Sequence, residues 1–279
     1  MARYRHALRM RPHLGGGGVG KGRLLLALGF AVFSLLSYCS SSEYNPVTGE
    51  KQYLSLTARQ EIALGLQAAP QMVAQYGGLH PDRQLQGKVD SVGRRLLRSS
   101  AAGKTEWQFD FHLLADRQTV NAFALPGGQV FITEALFSRL QSEGQLAAVL
   151  GHEIAHVVAR HGAQRIAKAG LTEGLTGAMV LASGSYSGGQ MAQLVGQMVN
   201  MKYGRDDELE SDHLGLRFMV NAGYDPRAMI GVMKILAAAS GAGQPEFFST
   251  HPNPDNRIGR IREAIDRLFP EGIPAGLAQ

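Results

Sequence analysis

Residues 151–162 read GHEIAHVVARHG, and no other stretch of the chain limits its possible folds so strongly. The run before it, QLAAVL, is also apolar. Ser142 with Gln145 three positions on is a capping-box pattern that opens a helix, and Gly162 is the expected stop. A helix over this span is apolar on nearly every side, so it is predicted to be buried. Yet it carries His152, Glu153 and His156. Ionisable groups without partners are costly in an apolar interior, so the fold must bring them partners or a ligand.

Spacing suggests which. Positions four apart share a helix face, so His152 and His156 present their imidazoles together. That suits two nitrogens on one zinc ion at about 2.0–2.1 Å. Glu153 projects toward the same cleft without ligating, placed to take a proton from an attacking water. A catalytic zinc needs a third protein ligand. The candidate segment is YGRDDELESDHLG, residues 203–215. Glu208 and Asp212 are four apart on one helix face, so Glu208 can complete the ligand set. Asp212 can accept a hydrogen bond from the far nitrogen of a ligating histidine. Asp206 and Asp207 remain rivals for the ligand position. Glu210 lies about 200° round the helix from Glu208 and faces elsewhere. His213 is read as a surface or packing residue. His161, nine positions after His152, falls on the far side of the continued helix and is not assigned as a ligand.

The rest of the chain supplies context. From Thr57 to about Ser100 the pattern is helical. In WQFDFHL, Trp107, Phe109, Phe111 and Leu113 alternate with polar residues as in a half-buried strand. In TVNAFALPGGQVFIT two strand-like runs flank Pro126-Gly127-Gly128, a hairpin signal. Beyond that the chain is helical almost to its end, with a flexible loop expected at 183–189 and a methionine-containing core helix at 191–204.

The net charge of +5 does not point to nucleic acid. Six basic residues and no acid lie in residues 1–39, leaving 22 basic and 23 acidic residues in the remainder, with no basic cluster suited to phosphates. The basic lead precedes LLLALGFAVFSLLSY, residues 24–38, which is short for the roughly 20 residues of a membrane span and suits an export signal. Cys39, the one cysteine, closes it. LSYC is similar to a bacterial lipobox, although Tyr38 stands where a small residue is usual, so Cys39 is a candidate lipidation site. Residues 40–60 are polar and turn-rich, read as a tether.

Together the landmarks NPVTGEKQYLSLT, VNAFALPGGQVFIT, LAAVLGHEIAHVVARHG, RDDELESDHLGLRFMVNAGYDP and FFSTHPNPDNRI resemble the zinc metalloprotease family of the CAAX prenyl endopeptidase. That family includes the heat-shock protease HtpX, the mitochondrial Oma-type proteases and bacterial periplasmic lipoproteins. The resemblance covers nearly all of residues 43–268. It implies an ExxxD pattern on Glu208 and Asp212. It implies substrate binding along VNAFALPGG, with Asn121, Ala122 and Phe123 the positions to test. It brings His251 and Arg257 back to the active site, His251 stabilising an oxyanion or capping the zinc at rest, and Arg257 holding its loop through carboxylates or carbonyls.

The resulting expectation is an α+β, mainly helical chain. A zincin-like metallopeptidase domain spans 61–268, with a small β-sheet edge and an HExxH active-site helix, and a tail follows at 269–279. One Zn2+ per chain, bound by His152, His156 and Glu208, is expected to serve an endopeptidase acting on misfolded or unassembled envelope proteins, with Glu153 and His251 in catalysis and Asp212 and Arg257 behind the ligands. The alternative is a chaperone or assembly factor for outer-membrane proteins using the same groove. Partners are protein or peptide substrates and, through Cys39, a membrane; nucleic acid is not expected. The expected location is the periplasm, tethered to the outer membrane, and the oligomeric state is left open.

Overall fold

Three short apolar strands cannot close a core alone, and the chain backs them with helices. The protein is described by a computed structural model covering residues 20–183, 203–239, 245–252 and 256–279. The loop and helix expected between 183 and 204 fall almost wholly outside these residues, as does part of the STHPNPDNRI landmark.

In chain order the elements are α1 (Lys21–Ser40), β1 (Ser42–Tyr44), β2 (Lys51–Tyr53), α2 (Ala58–Gln75), α3 (Arg83–Arg98), β3 (Asp110–Leu114), β4 (Ala122–Ala124), β5 (Gln129–Thr133), α4 (Glu134–Phe137), α5 (Glu143–Val158), α6 (His161–Ser183), α7 (Arg205–Asn221), α8 (Arg227–Ala238), α9 (Glu246–Thr250) and α10 (Arg257–Leu268). This is the mainly helical, small-sheet architecture anticipated.

The main sheet has the order β3-β5-β4. β5 is central, parallel to β3 and antiparallel to β4. Every residue of β5 is buried, as a strand covered on both faces requires. The β4–β5 hairpin turns through Gly127 (φ 85°) and Gly128 (φ 121°), conformations that side chains rarely adopt. A Cβ on Gly127 would also meet the Ile62 backbone at 2.4 Å, so this turn is pressed onto α2. On the other side α3 packs on β3, where a Cβ on Gly93 would lie 2.5 Å from the Phe111 ring.

α5 is the central helix, buried at every position from Gly144 to Val158. Its start matches the sequence reading: Ser142 Oγ accepts from Gln145 N at 3.3 Å. The Gln145 side chain reaches back one residue further than a capping box requires, accepting from Gln141 N at 2.7 Å.

The end of α5 differs from the reading. It stops at Val158, not Gly162, and the chain turns through Arg160 in a left-handed conformation (φ 55°) before α6 begins at His161. A non-glycine residue costs about 1–2 kcal/mol there, and distant partners offset it. Arg160 donates to Glu61 Oε1 at 2.6 and 2.9 Å, to Glu43 Oε2 at 2.8 Å and to the Leu56 carbonyl at 3.0 Å. No local signal encodes such a break.

Residues 42–53, within the segment read as a tether, form an antiparallel pair. Two amides from this hairpin serve the last turn of α5: Asn45 Nδ2 donates to the Val158 carbonyl at 2.8 Å and Gln52 Nε2 to the Ala159 carbonyl at 2.7 Å. Helix ends leave carbonyls without intrahelical partners, and here residues more than 100 positions away supply them.

α1 is long and apolar enough to cross a membrane, with mean hydropathy 1.7. It lies along α6, with the Tyr38 ring stacked on Tyr53 at 4.9 Å, and leaves Leu25, Leu26, Phe33 and Leu36 exposed. Cys39, in its last turn, is exposed.

Candidate metal centre

Two glycines bring the acidic segment to the histidine helix. α5 and α7 cross at Gly151 and Gly215, and a Cβ on Gly215 would stand 3.2 Å from both Gly151 C and His152 N. Their backbones therefore touch, one position before His152 and one helical turn after Ser211. The contact turns Glu208 and Asp212 toward His152 and His156.

Four donors converge there: the side chains of His152, His156, Glu208 and His251 each place a ligating atom within 4.8 Å of the others, and all four are buried. His152 Nε2 lies 3.0 Å from His156 Nε2. Glu208 Oε2 lies 3.4 Å from His152 Nε2, and Glu208 Oε1 lies 3.4 Å from His156 Nε2. His251 Nδ1 is 3.0 Å from Glu208 Oε1 and 3.4 Å from His152 Nε2. A tetrahedron with bonds of about 2.0–2.1 Å has edges of about 3.3 Å. The donor types and separations fit zinc. Asp206 and Asp207, the rival acids, are outside this cluster.

Glu153 supports the same fit. It is fully buried, and among the described residues neither carboxylate oxygen has a hydrogen-bond partner; His251 Nε2 lies 3.7 Å from its Oε1. Native proteins rarely leave a buried carboxylate bare. Burial raises its pKa above the ordinary value, only partly countered by His251 and His152.

Other buried polar groups contact these candidate donors. His152 Nδ1 is 3.0 Å from Asp212 Oδ1. Arg257 grips Asp212 with Nε and Nη2, both at 2.7 Å, and places Nη1 3.1 Å from Glu208 Oε2. This is the planar, two-pronged geometry that favours arginine over lysine. Burial works against charge on His152, but Asp212 and Glu208 outweigh it and hold its pKa up at about 9. Burial dominates at His156 and holds its pKa well below the ordinary value, leaving a neutral imidazole with a free lone pair.

The sequence reading left several neighbours of this cluster without a role. Tyr203, in the candidate acidic segment, stacks flat on His156 with centroids 3.9 Å apart, and Arg165 covers its other face at 3.8 Å. His161 is not on the far side as expected. The break at Arg160 folds it back so that its Nδ1 lies 2.9 Å from His156 Nδ1, and its Nε2 meets Glu210 Oε2 at 2.9 Å. A continuous helix would have kept His161 away, so only a knowledge of the break reveals it. Glu210 does face away from Glu208, toward His161. Among the three candidate substrate positions, the side chains belong to the fold. Asn121 donates to Tyr76 Oη at 3.3 Å, Ala122 is buried, and Phe123 stacks between Tyr76 and Phe131. β4 is an edge strand of its sheet. Its continuation, Ala124 to Pro126, lines a small cleft with His156 and Tyr203.

Residues 83–265, about two thirds of the chain and including the whole cluster, match peptidase family M48. The chain belongs to that family. It is 33% identical over 235 residues to the mitochondrial metalloendopeptidase OMA1 of Schizosaccharomyces pombe, covering 81% of this chain and 67% of that protein. It is 31% identical over 249 residues to the beta-barrel assembly-enhancing protease of Escherichia coli, covering 84% of this chain and 50% of that protein. The Yersinia pestis protein of the same name is 32% identical over 237 residues. The chain thus spans about half the length of these bacterial relatives. Its family is a peptidase family, and these relatives are named as a metalloendopeptidase and as proteases.

Proposed function

We propose that this M48 protein is a zinc-dependent endopeptidase of the bacterial cell envelope. The observation that carries the reading is a cluster of four buried donors beside a buried carboxylate that has no hydrogen-bond partner among the described residues. His152, His156 and Glu208 would hold one zinc. The ion would polarise the scissile carbonyl and activate water for attack.

The chain's own residues do the rest. Glu153 takes a proton from the attacking water and delivers it to the leaving amine nitrogen. Asp212, braced by Arg257, keeps the His152 ring aimed. His251 fills the fourth corner of the cluster at rest and must withdraw before substrate enters, which favours the capping role over an oxyanion role. An extended substrate pairs with the free main-chain edge of β4, Asn121 to Phe123 setting the position of that edge from inside.

The names of the relatives support substrates among misfolded or unassembled envelope proteins. The basic, apolar lead supports export through residues 1–39, with Cys39 carrying a lipid that tethers the protein to the outer membrane. On this reading, residues 40–60 lead into a peptidase domain at 61–268 and a tail at 269–279. A second role, assisting assembly of outer-membrane proteins in the same groove, is favoured by the name of the bacterial relatives.

The test is zinc content together with cleavage of casein. Glu153→Gln should keep zinc and lose turnover by several orders of magnitude. A chelator should abolish wild-type cleavage. Full activity in Glu153→Gln, or cleavage indifferent to chelation, would refute the mechanism. Suppression of outer-membrane protein aggregation by Glu153→Gln would support the assembly role.

A further inference from the structure

The two histidines of the helix are backed differently. His152 has a carboxylate directly behind it, Asp212. His156 has another imidazole, that of His161, with Nδ1 facing Nδ1 at 2.9 Å and the rings at 72°. Two nitrogens at that distance share one hydrogen: one must donate and the other accept.

The donor follows from the next contact. His161 Nε2 lies 2.9 Å from Glu210 Oε2, and an ionised carboxylate only accepts. Glu210 therefore places the His161 hydrogen on Nε2 and leaves a lone pair on Nδ1. That lone pair draws the hydrogen of His156 to its Nδ1. His156 Nε2 is then bare and points at His152 Nε2 and Glu208. The opposite arrangement would set a lone pair against the Glu210 carboxylate and put the hydrogen of His156 on the nitrogen that faces the cluster. Ser211 Oγ lies 3.3 Å from the same Nδ1, and a hydroxyl can donate there, which is compatible with this tautomer.

We infer that His161 and Glu210 are positioning residues for the metal centre, a two-step relay that fixes the tautomer and tilt of His156. The inference rests on the metalloprotease reading above and adds to it a named second support. Such outer partners typically contribute ten- to a hundredfold in metal affinity.

The test compares wild type, His161→Leu, His161→Asn and Glu210→Ala in the full chain. Zinc affinity is measured by chelator competition, and the ligand field by the visible absorption of bound Co2+. His161→Leu should weaken zinc binding about ten- to a hundredfold and shift the Co2+ bands. Asn Oδ1 stands where His Nδ1 stood and still accepts, so His161→Asn should recover most of the affinity and the wild-type spectrum. Glu210→Ala should fall between. Equal affinity and spectra in wild type and His161→Leu would overturn the inference and leave the protease reading standing. Equal losses in His161→Leu and His161→Asn would also overturn it, since His161 would then only fill space. If His161→Leu does not fold, an unchanged Glu210→Ala overturns it instead. A wild type that takes up no zinc would refute the underlying reading itself.

Discussion

Gly215 lies against Gly151 so closely that a Cβ on it would stand 3.2 Å from the Gly151 carbonyl carbon, from His152 N and from Met229 Cε. The pair sets how near α7 comes to α5, and so how near Glu208 and Asp212 come to the histidines. Gly215→Val should separate the helices, costing about 1–3 kcal/mol through overpacking. Zinc content should fall with it. Chemical denaturation and elemental analysis check both, and normal zinc content would show that the crossing has slack.

His251 is the fourth member of the donor cluster. His251→Ala should keep zinc on the remaining three donors and raise cleavage of an unstructured peptide severalfold. A fall in kcat with zinc retained would assign His251 to the oxyanion instead. Steady-state kinetics on the peptide, with metal content measured in the same preparation, decide between the two.

Asn45 donates to the last turn of α5 through the Val158 carbonyl. Asn45→Ala leaves that carbonyl without its partner and should destabilise the protein by about 1–3 kcal/mol. Hydrogen exchange should speed up at the end of α5 more than at its start. Uniform exchange along α5 would count against the cap.

Asp225 should control part of the acid sensitivity. Its pKa is held below the ordinary value chiefly by hydrogen bonds from Arg227, against burial, with Gln279 assisting. The folded state thus binds this proton less readily than the unfolded chain, so the stabilisation is present above about pH 4 and drains away as pH falls toward the folded value. Asp225→Asn should cost roughly 1 kcal/mol at pH 7, and the gap to wild type should narrow steadily as pH falls below about 4. A gap independent of pH would mean that the contact is not ionic.

The parts legible from sequence were those set by local periodicity and spacing. The hairpin at Pro126–Gly128, the Ser142 cap and the shared face of His152 and His156 all depend on neighbours a few positions apart. Glu208 and Asp212 were within reach for the same reason, because i and i+4 on α7 need only a helix. The end of α5 was not, because Arg160 takes its conformation from Glu43, Leu56 and Glu61. His161 was misplaced by the same cause, since its direction depends on the break. Tyr203 gave no signal at all: its place on His156 comes from tertiary packing.

One boundary follows from the hairpin. The M48 match begins at residue 83, downstream of Asn45, Gln52 and Glu61. A fragment trimmed to that range would hold all four metal donors yet lose the outside hands that finish α5 and pin Arg160. The stretch that carries the four donors and the stretch that carries the supports of α5 are different lengths of chain, and the second reaches back to the hairpin.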